Sequence, residues 1–500
     1  MAAVIHSAPA HVGSPSDSSP GLQLGSRSRL AVLALIVAVA AALRVAAARG
    51  ELWLDEVWSI YLVQELVHSP GDVIFRLRYD NNHMLTSWVA YAIGPVGAPW
   101  QYRLPAVTAG IATVLLAGWA QQRSGRAAVV AAMTLAGSSY LLIHYSSEAR
   151  GYAALTAAML LAYGALRQAD ATGRVGWEAL VAVSCMLGFL AHVLFLPMYL
   201  AIQVWTWLPD GKPMDRDGWR KYSMAALFRT LLPGFFFAWL YWVNYSRMKI
   251  NGGDEQPHLQ VLMETMSLAC GGAFGPPWNY AAAATTAVCT AASLWYVFRK
   301  SPRQACFFGA VIVAMPAVLL AVAPREDIYT RYFLGSVLFL YLLWSEALSA
   351  LWQRSSGGQT AYFALLGLFV AANLIHVVLL ISLGRSHYHE AIDWIERETA
   401  GPQVRLSGDH GFRHQMMLYQ LSTTAQLDKP VTFDPLKPAT VGRADWLLTH
   451  NLDPGFAPPA EIRFDGGRNF RLVRHYPFAG LSGWQLNVYR RVGKRPAPPQ

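Results

Sequence analysis

The sequence predicts a polytopic α-helical membrane protein of about eleven transmembrane helices, with membrane-parallel helices in its first outer loop and a small extracytoplasmic α/β domain at its C-terminal end. Three observations carry that prediction. Of the 500 residues, 54% are hydrophobic and 14% charged, against roughly 25% charged in an ordinary soluble domain. Apolar runs of about 20 residues, enough to cross a hydrocarbon layer of about 30 Å, recur along the chain. Lysines and arginines gather in alternate short loops, which marks those loops as cytoplasmic.

The expected spans lie near 30–48, 103–121, 127–144, 150–166, 177–192, 193–208, 226–245, 281–298, 304–323, 333–352 and 361–384. The basic loops hold Arg27 and Arg29; Arg123 and Arg126; Arg167 and Arg174; Lys212, Arg216, Arg220 and Lys221; Arg299, Lys300 and Arg303; and Arg354. Every second loop is therefore inside, provided that 84–97, "MLTSWVAYAIGPVG", does not cross. That stretch is short and broken by Gly94, Pro95 and Gly97, so it reads as an interfacial helix. The N-terminus is then cytoplasmic, 49–102 forms a large first outer loop, and the chain after 384 lies outside the plasma (inner) membrane. Residues 1–26, rich in Ser, Pro, Gly and Ala, read as a disordered cytoplasmic tail. The transmembrane domain runs over 27–384.

Residues 385–500 differ in character. "HYHEAIDWIERET" reads as an amphipathic helix, and "QVRLSGDH", "ADWLLTH", "FRLVRHY" and "WQLNVYRRV" read as strands separated by turn residues. The net charge of +10 does not indicate nucleic acid, because the basic residues are dispersed over loops rather than gathered in one patch with aromatics. The four cysteines have neither metal-ligand spacing nor a disulfide framework.

Polar clusters fall in the outer loops. "RGELWLDEVWSIYLV" (49–63) sets Asp55 and Glu56 among apolar residues directly after the first span. An unpaired carboxylate in such surroundings costs several kcal/mol. On a helix adjacent residues point about 100° apart, so Leu54, Trp58, Tyr61 and Leu62 form an apolar stripe and Glu51, Asp55 and Ser59 a polar one. Asp55 is the candidate general base; Glu56 positions the loop or pairs with an arginine. The competing reading is a solvated interfacial helix whose acids do nothing. "RYDNNHMLTSW" (78–88) adds Asn82, read chiefly as a helix cap, and His83, whose imidazole can contact a hydroxyl or phosphate. Arg103, Arg150 and Arg331 each stand at the outer end of a span, beside Tyr102, Tyr152 and Tyr332. Singly each reads as a snorkelling residue; three around one surface suit an anion, since a guanidinium donates paired hydrogen bonds to phosphate. Glu148 is placed to neutralise Arg150, and Glu326 or Asp327 to neutralise Arg331. Arg44, Glu346 and His376 lie within spans at depths that permit snorkelling.

The order of "LDE" in the first outer loop, "NNHM" entering a membrane-parallel helix, "YRLPAV", "SSEARGYA" and "TRYFLGS" resembles the GT-C superfamily of membrane glycosyltransferases, the group that includes protein O-mannosyltransferases, the lipid A aminoarabinose transferase and the RgtA/B/C/D-like proteins. The matching motifs cover most of 30–350. The resemblance implies a polyprenyl-phosphate-linked sugar as donor and an inverting transfer to a hydroxyl acceptor on a glycan, lipid or protein. It maps the loop aspartate onto Asp55, as the base that deprotonates the acceptor, with Arg150 and Arg331 at positions suited to the donor phosphate. Arg103 and Tyr332 join that phosphate set, while His83, Asn82, Glu148 and Tyr152 are candidates for substrate contact. Where many relatives have His-Pro-Pro, this chain has "NNHML". No cofactor is expected, since a monophosphate donor needs no divalent metal, although Asp55, Glu56 or Asp80 could bind one. A transporter or flippase for a lipid-linked substrate is the alternative, weakened by the lack of an internal repeat.

Overall fold

Helices fill the first four-fifths of the computed structural model, which describes residues 26–208, 216–249, 256–322, 328–424, 427–435, 443–453, 455–464 and 468–493. The expected tail up to residue 25, and Glu326 and Asp327, lie outside the described residues. Seven described helices are long and apolar enough to cross a membrane: Arg27–Ala47, Pro99–Ser124, Tyr222–Arg247, Trp278–Lys300, Pro302–Val322, Thr330–Arg354 and one that begins at Ser356. The other four expected spans are helical too, but shorter or more polar: Arg126–Ser138 continued by Tyr140–Tyr145, Tyr152–Thr172, Val175–Ala191 and Leu196–Trp207. The segment expected to lie along the interface is the helix Met84–Ile93, about 15 Å long at 1.5 Å per residue. It stops at Gly94, whose φ of 83° suits glycine.

Close approach of helices replaces the hydrophobic driving force that lipid abolishes. A Cβ on Gly164 would lie 2.1 Å from the Trp119 ring, so glycine alone lets helix Tyr152–Thr172 meet Pro99–Ala120 there. Arg44, expected to snorkel, is instead fully buried. It donates to Ala40 O (3.1 Å), Gly137 O (3.1 Å) and Ala136 O (3.0 Å), the latter two being carbonyls freed where the chain breaks between Ser138 and Tyr140. Glu346 and His376 also bond inward. The Glu346 carboxylate accepts from Gln304 Nε2 (2.6 Å) and Ser124 Oγ (3.1 Å), and His376 Nε2 meets Gly272 O at 2.9 Å. In each case the side chain bonds to neighbouring protein rather than reaching for water, while Arg44 Nε and His376 Nδ1 stay buried without a hydrogen-bond partner among the described residues.

The C-terminal region is a six-stranded sheet ordered β2-β1-β3-β6-β5-β4. Its strands are β1 Val404–Gly408, β2 Val431–Pro435, β3 Trp446–Asn451, β4 Glu461–Phe464, β5 Arg468–Tyr476 and β6 Gln485–Val492. β1 runs parallel to β2 and β3, with Leu406 opposite Phe433 and Trp446; the remaining pairs are antiparallel. The amphipathic helix is Tyr388–Glu398. The strands β2 and β4 and the helix Gly411–Thr424 were not among the expected elements. β2 is bracketed by Pro430 and Pro435, which demote a run as a strand signal, and β4 has only four residues; the parallel pairing of β1 and β2 demands a crossover, which that helix supplies.

This region sits directly on the first outer loop. Helix Leu54–Leu66 meets helix Gly411–Thr424 through edge-on rings, Trp58 with Phe412 and Tyr61 with Tyr419, each at 5.0 Å between centroids. The Glu51 carboxylate accepts from the backbone N–H of His389 (2.9 Å) and Glu390 (3.2 Å), capping the start of helix Tyr388–Glu398. Glu51 therefore precedes the Asp55 helix and is not part of its polar stripe, as the sequence had suggested. Arg385 donates to Ala47 O (3.0 Å), His144 O (2.9 Å) and Ser147 Oγ (2.7 Å), tying the start of the C-terminal region to the end of the first span.

Candidate active site

The chain leaves its first span at Ala47 and begins the next helix at Leu54, with Trp53 in extended geometry as N-cap. Glu56 at the third helical position turns back and accepts from Trp53 N (3.0 Å), an arrangement that satisfies a free donor at the helix start. The same carboxylate accepts from Arg103 Nε (2.8 Å), Arg103 Nη2 (2.6 Å) and Ala149 N (2.7 Å). Glu56 is 0% exposed, and these four bonds offset its desolvation. It pairs with an outer-face arginine, as one of its two expected readings had it, and joins three segments far apart in the chain.

Arg103 is consumed by this arrangement. Beyond Glu56 it donates to Ala48 O (3.1 Å), Arg49 O (3.4 Å), Gly50 O (3.0 Å) and Glu51 O (2.6 Å). A guanidinium has five N–H donors, and all are engaged, so the structure removes Arg103 from the expected phosphate set and makes it the clamp of the loop 48–51.

Asp55, one residue earlier, points elsewhere and is 20% exposed. Its Oδ2 accepts from Arg150 Nη1, and from Arg331 Nη1 at 3.2 Å. Arg150 is oriented by its other donors: Nη2 to Asn81 Oδ1 (2.7 Å) and Nε to His83 Nε2 (3.3 Å), with its guanidinium 5.2 Å from the Tyr152 ring. Arg331 stacks at 4.3 Å from Tyr329 and 5.7 Å from Tyr332, cation–π contacts that hold a charge without consuming its donors. Its Nε is buried with no hydrogen-bond partner.

His83 packs at 4.7 Å from His192 and 5.3 Å from Tyr152. Burial first, then the charges of His192, Arg150 and Arg331, hold its pKa well below the ordinary histidine value. The ring is neutral, and because arginine only donates, Nε2 carries the lone pair and Nδ1 the proton. A Cβ on Gly151 would lie 2.3 Å from Ala191 O and 2.8 Å from His83 Cβ. Glycine there lets the loop carrying Arg150 press against His83.

Asn82 caps locally. It donates to Val73 O (2.9 Å) and Leu77 O (2.6 Å) and accepts from Ser87 Oγ (2.9 Å), so its amide is occupied by the fold. Glu148 pairs with His144 (3.0 Å) and Arg385 (3.3 Å) rather than making a direct contact with Arg150. Burial raises its pKa, but His144 and then Arg385 and Arg150 outweigh that and leave it well below the carboxylate range. The residues gathered at one point are thus Asp55, Arg150, Arg331, His83, Tyr152 and Tyr332. Sequence reasoning placed Asn81 in the polar cluster before the second helix without giving it this role, and it missed Tyr329, which was signalled by its place two residues from Arg331.

Beside Tyr332 an apolar groove of about 430 Å³ opens between helices, lined by Leu155, Met159, Leu194, Met315, Leu319 and Phe333 among others. Ser59, Asn81, His83 and Thr86 help line a second crevice, of about 310 Å³.

No family model matches the chain, and no curated protein matches its sequence. Its architecture does have solved counterparts. The apo structure of ArnT from Cupriavidus metallidurans superposes with a TM-score of 0.53 over 94% of this chain and 99% of that one, at 13% identity. The same protein bound to undecaprenyl phosphate gives 0.51 over 95% and 100%, at 12% identity. The chain has the GT-C fold. At that identity the likeness is one of architecture.

Proposed function

We propose that this chain is an integral-membrane glycosyltransferase that moves a sugar from a polyprenyl-phosphate carrier to a hydroxyl on the extracytoplasmic face, inverting the anomeric carbon, with Asp55 as general base. The observation that carries this reading is the Asp55 carboxylate clasped by Arg150 and Arg331 next to an apolar groove. A base, cations for a phosphate and a slot for a hydrocarbon tail are the requirements of such a transfer. ArnT, of the same fold, has been solved with undecaprenyl phosphate, which supports this class of donor.

In this scheme the donor's lipid lies in the groove past Tyr332 and its phosphate accepts from Arg331, whose Nε has no other partner. The phosphate takes over the guanidinium bonds that Asp55 holds in the empty site. Freed, the Asp55 oxygen accepts the proton of the incoming hydroxyl. The hydroxyl oxygen bonds to the anomeric carbon from the face opposite the phosphate, and the carbon–oxygen bond to phosphate breaks with its electron pair passing to the phosphate. Arg150 and Arg331 stabilise the charge that develops there. Neutral His83 and Asn81 keep Arg150 aimed.

The test is reconstitution into proteoliposomes with labelled polyprenyl-phosphate sugars and a mixture of envelope acceptors. Label covalently joined to an acceptor supports transfer, and label that changes leaflet without bond cleavage supports a carrier instead.

A further inference from the structure

We propose that Asp409, His414 and His450 form a zinc site in the C-terminal domain, separate from the Asp55 constellation. The three come from the carboxyl ends of the neighbouring parallel strands β1 and β3 and from the helix that follows β1. Asp409 directly follows β1, His450 lies in β3, and His414 lies in helix Gly411–Thr424. The crevice outside the carboxyl ends of parallel strands is where such sheets bind ligands.

One donor atom from each residue lies within 4.8 Å of the others. Asp409 Oδ1 is 2.8 Å from His450 Nδ1 and 3.4 Å from His414 Nε2. A tetrahedral zinc ion with bonds of about 2.0–2.1 Å sets neighbouring donors about 3.3 Å apart, so these spacings need only small adjustment.

The hydrogen bonding in the cleft is incomplete in a way a cation would complete. His414 Nδ1 meets the Tyr388 hydroxyl at 2.5 Å, the outer contact that fixes a metal-binding imidazole. Its Nε2, which faces Asp409 Oδ1, is buried with no hydrogen-bond partner among the described residues. Residue 408 is built for this approach, since a Cβ there would lie 1.9 Å from His414 Nε2. Both histidine side chains are 0% exposed while Asp409 is 31% exposed, which leaves a solvent-facing position for a fourth ligand, water. Two imidazoles and one carboxylate with an open position suit zinc.

The full chain, purified in detergent through a tag without histidines, is measured for metal content, then stripped with chelator and titrated with zinc and with cobalt(II). The expected result is about one zinc per chain, and visible d–d bands of a four-coordinate site when cobalt replaces it. His414→Gln and His450→Gln fall to background metal while eluting as folded protein, and exposed His389→Gln retains its zinc. Should the histidine variants aggregate, Asp409→Asn is the second test, expected to weaken zinc binding at least about tenfold. A wild-type protein that takes up neither ion, or a folded His450→Gln or Asp409→Asn that binds as the parent does, overturns the site.

Discussion

Arg331 and Asp55 meet at 3.2 Å although 276 residues separate them in the chain. Asp55 stands at the start of the helix that follows the first span and Arg331 just before a late membrane helix. Under the proposed transfer, their pairing is where the donor phosphate and the base would meet.

Arg331 presents an unpartnered Nε, and a hydrogen bond to a charged group contributes about 1.5–3 kcal/mol. Arg331→Ala should therefore weaken binding of a polyprenyl-phosphate sugar roughly 10- to 100-fold. Arg331→Lys should recover only part, because an ammonium lacks the fork and the stacking on Tyr329. Equilibrium binding of a labelled donor to protein in nanodiscs reads this directly, and unchanged affinity in Arg331→Ala would remove the residue from the phosphate site.

Asp55→Asn removes the proton acceptor and also the anion that competes with phosphate for the two guanidinium groups. Its kcat should fall by about 10²–10⁴, with donor affinity equal to or tighter than that of the parent. Turnover together with donor binding distinguishes this from a folding defect, and an Asp55→Asn enzyme turning over at the parental rate would refute the base assignment.

Glu56 and Arg103, adjacent in chemistry but outside the reaction, should behave as a structural unit. Removing either partner of a buried pair costs about 3–5 kcal/mol. Glu56→Ala and Arg103→Ala should each lower the thermal midpoint in detergent strongly, and the double variant should lose far less than the sum. Additive losses would mean that the two side chains act independently.

The C-terminal domain should weaken in acid. His450 has a pKa of about 4 in the folded state against about 6.5 unfolded, so between those values the unfolded chain binds the extra proton. Stability is then full above about pH 6.5 and falls toward pH 4 by up to about 1.4 kcal/mol per unit for this group. His414, lowered in the same sense, adds to the slope. Hydrogen exchange of β1 and β3 in excess chelator at a series of pH values measures it, and His450→Gln should flatten it. An unchanged slope in that variant would assign the effect to other groups.

Most of the helical body was legible because a span is a local property: about 20 consecutive apolar residues identify one wherever it later packs. The helices around Asp55 and Met84 were legible from local pattern as well, the first from its polar and apolar stripes and the second from a short apolar run ended by Gly94 and Pro95. The strand β2, bracketed by Pro430 and Pro435, and the four-residue β4 carry too little pattern to register, and their place is set by neighbours in the sheet. Snorkelling, the expectation for Arg44, depends on what surrounds a side chain. The helix break at Ser139 that supplies its carbonyl partners belongs to another segment.

The sequence by itself determined that the chain crosses a membrane many times, that its polar clusters fall in alternate loops, and that Asp55 and Glu56 stand where the first span ends. Only the tertiary structure decided what the arginines do. Arg103, Arg150 and Arg331 look alike in sequence, each at a span end beside a tyrosine, yet the first is closed around Glu56 while the other two hold Asp55. Composition and hydropathy act residue by residue along the chain, whereas an ion pair depends on a distance of a few ångströms between segments that packing alone brings together.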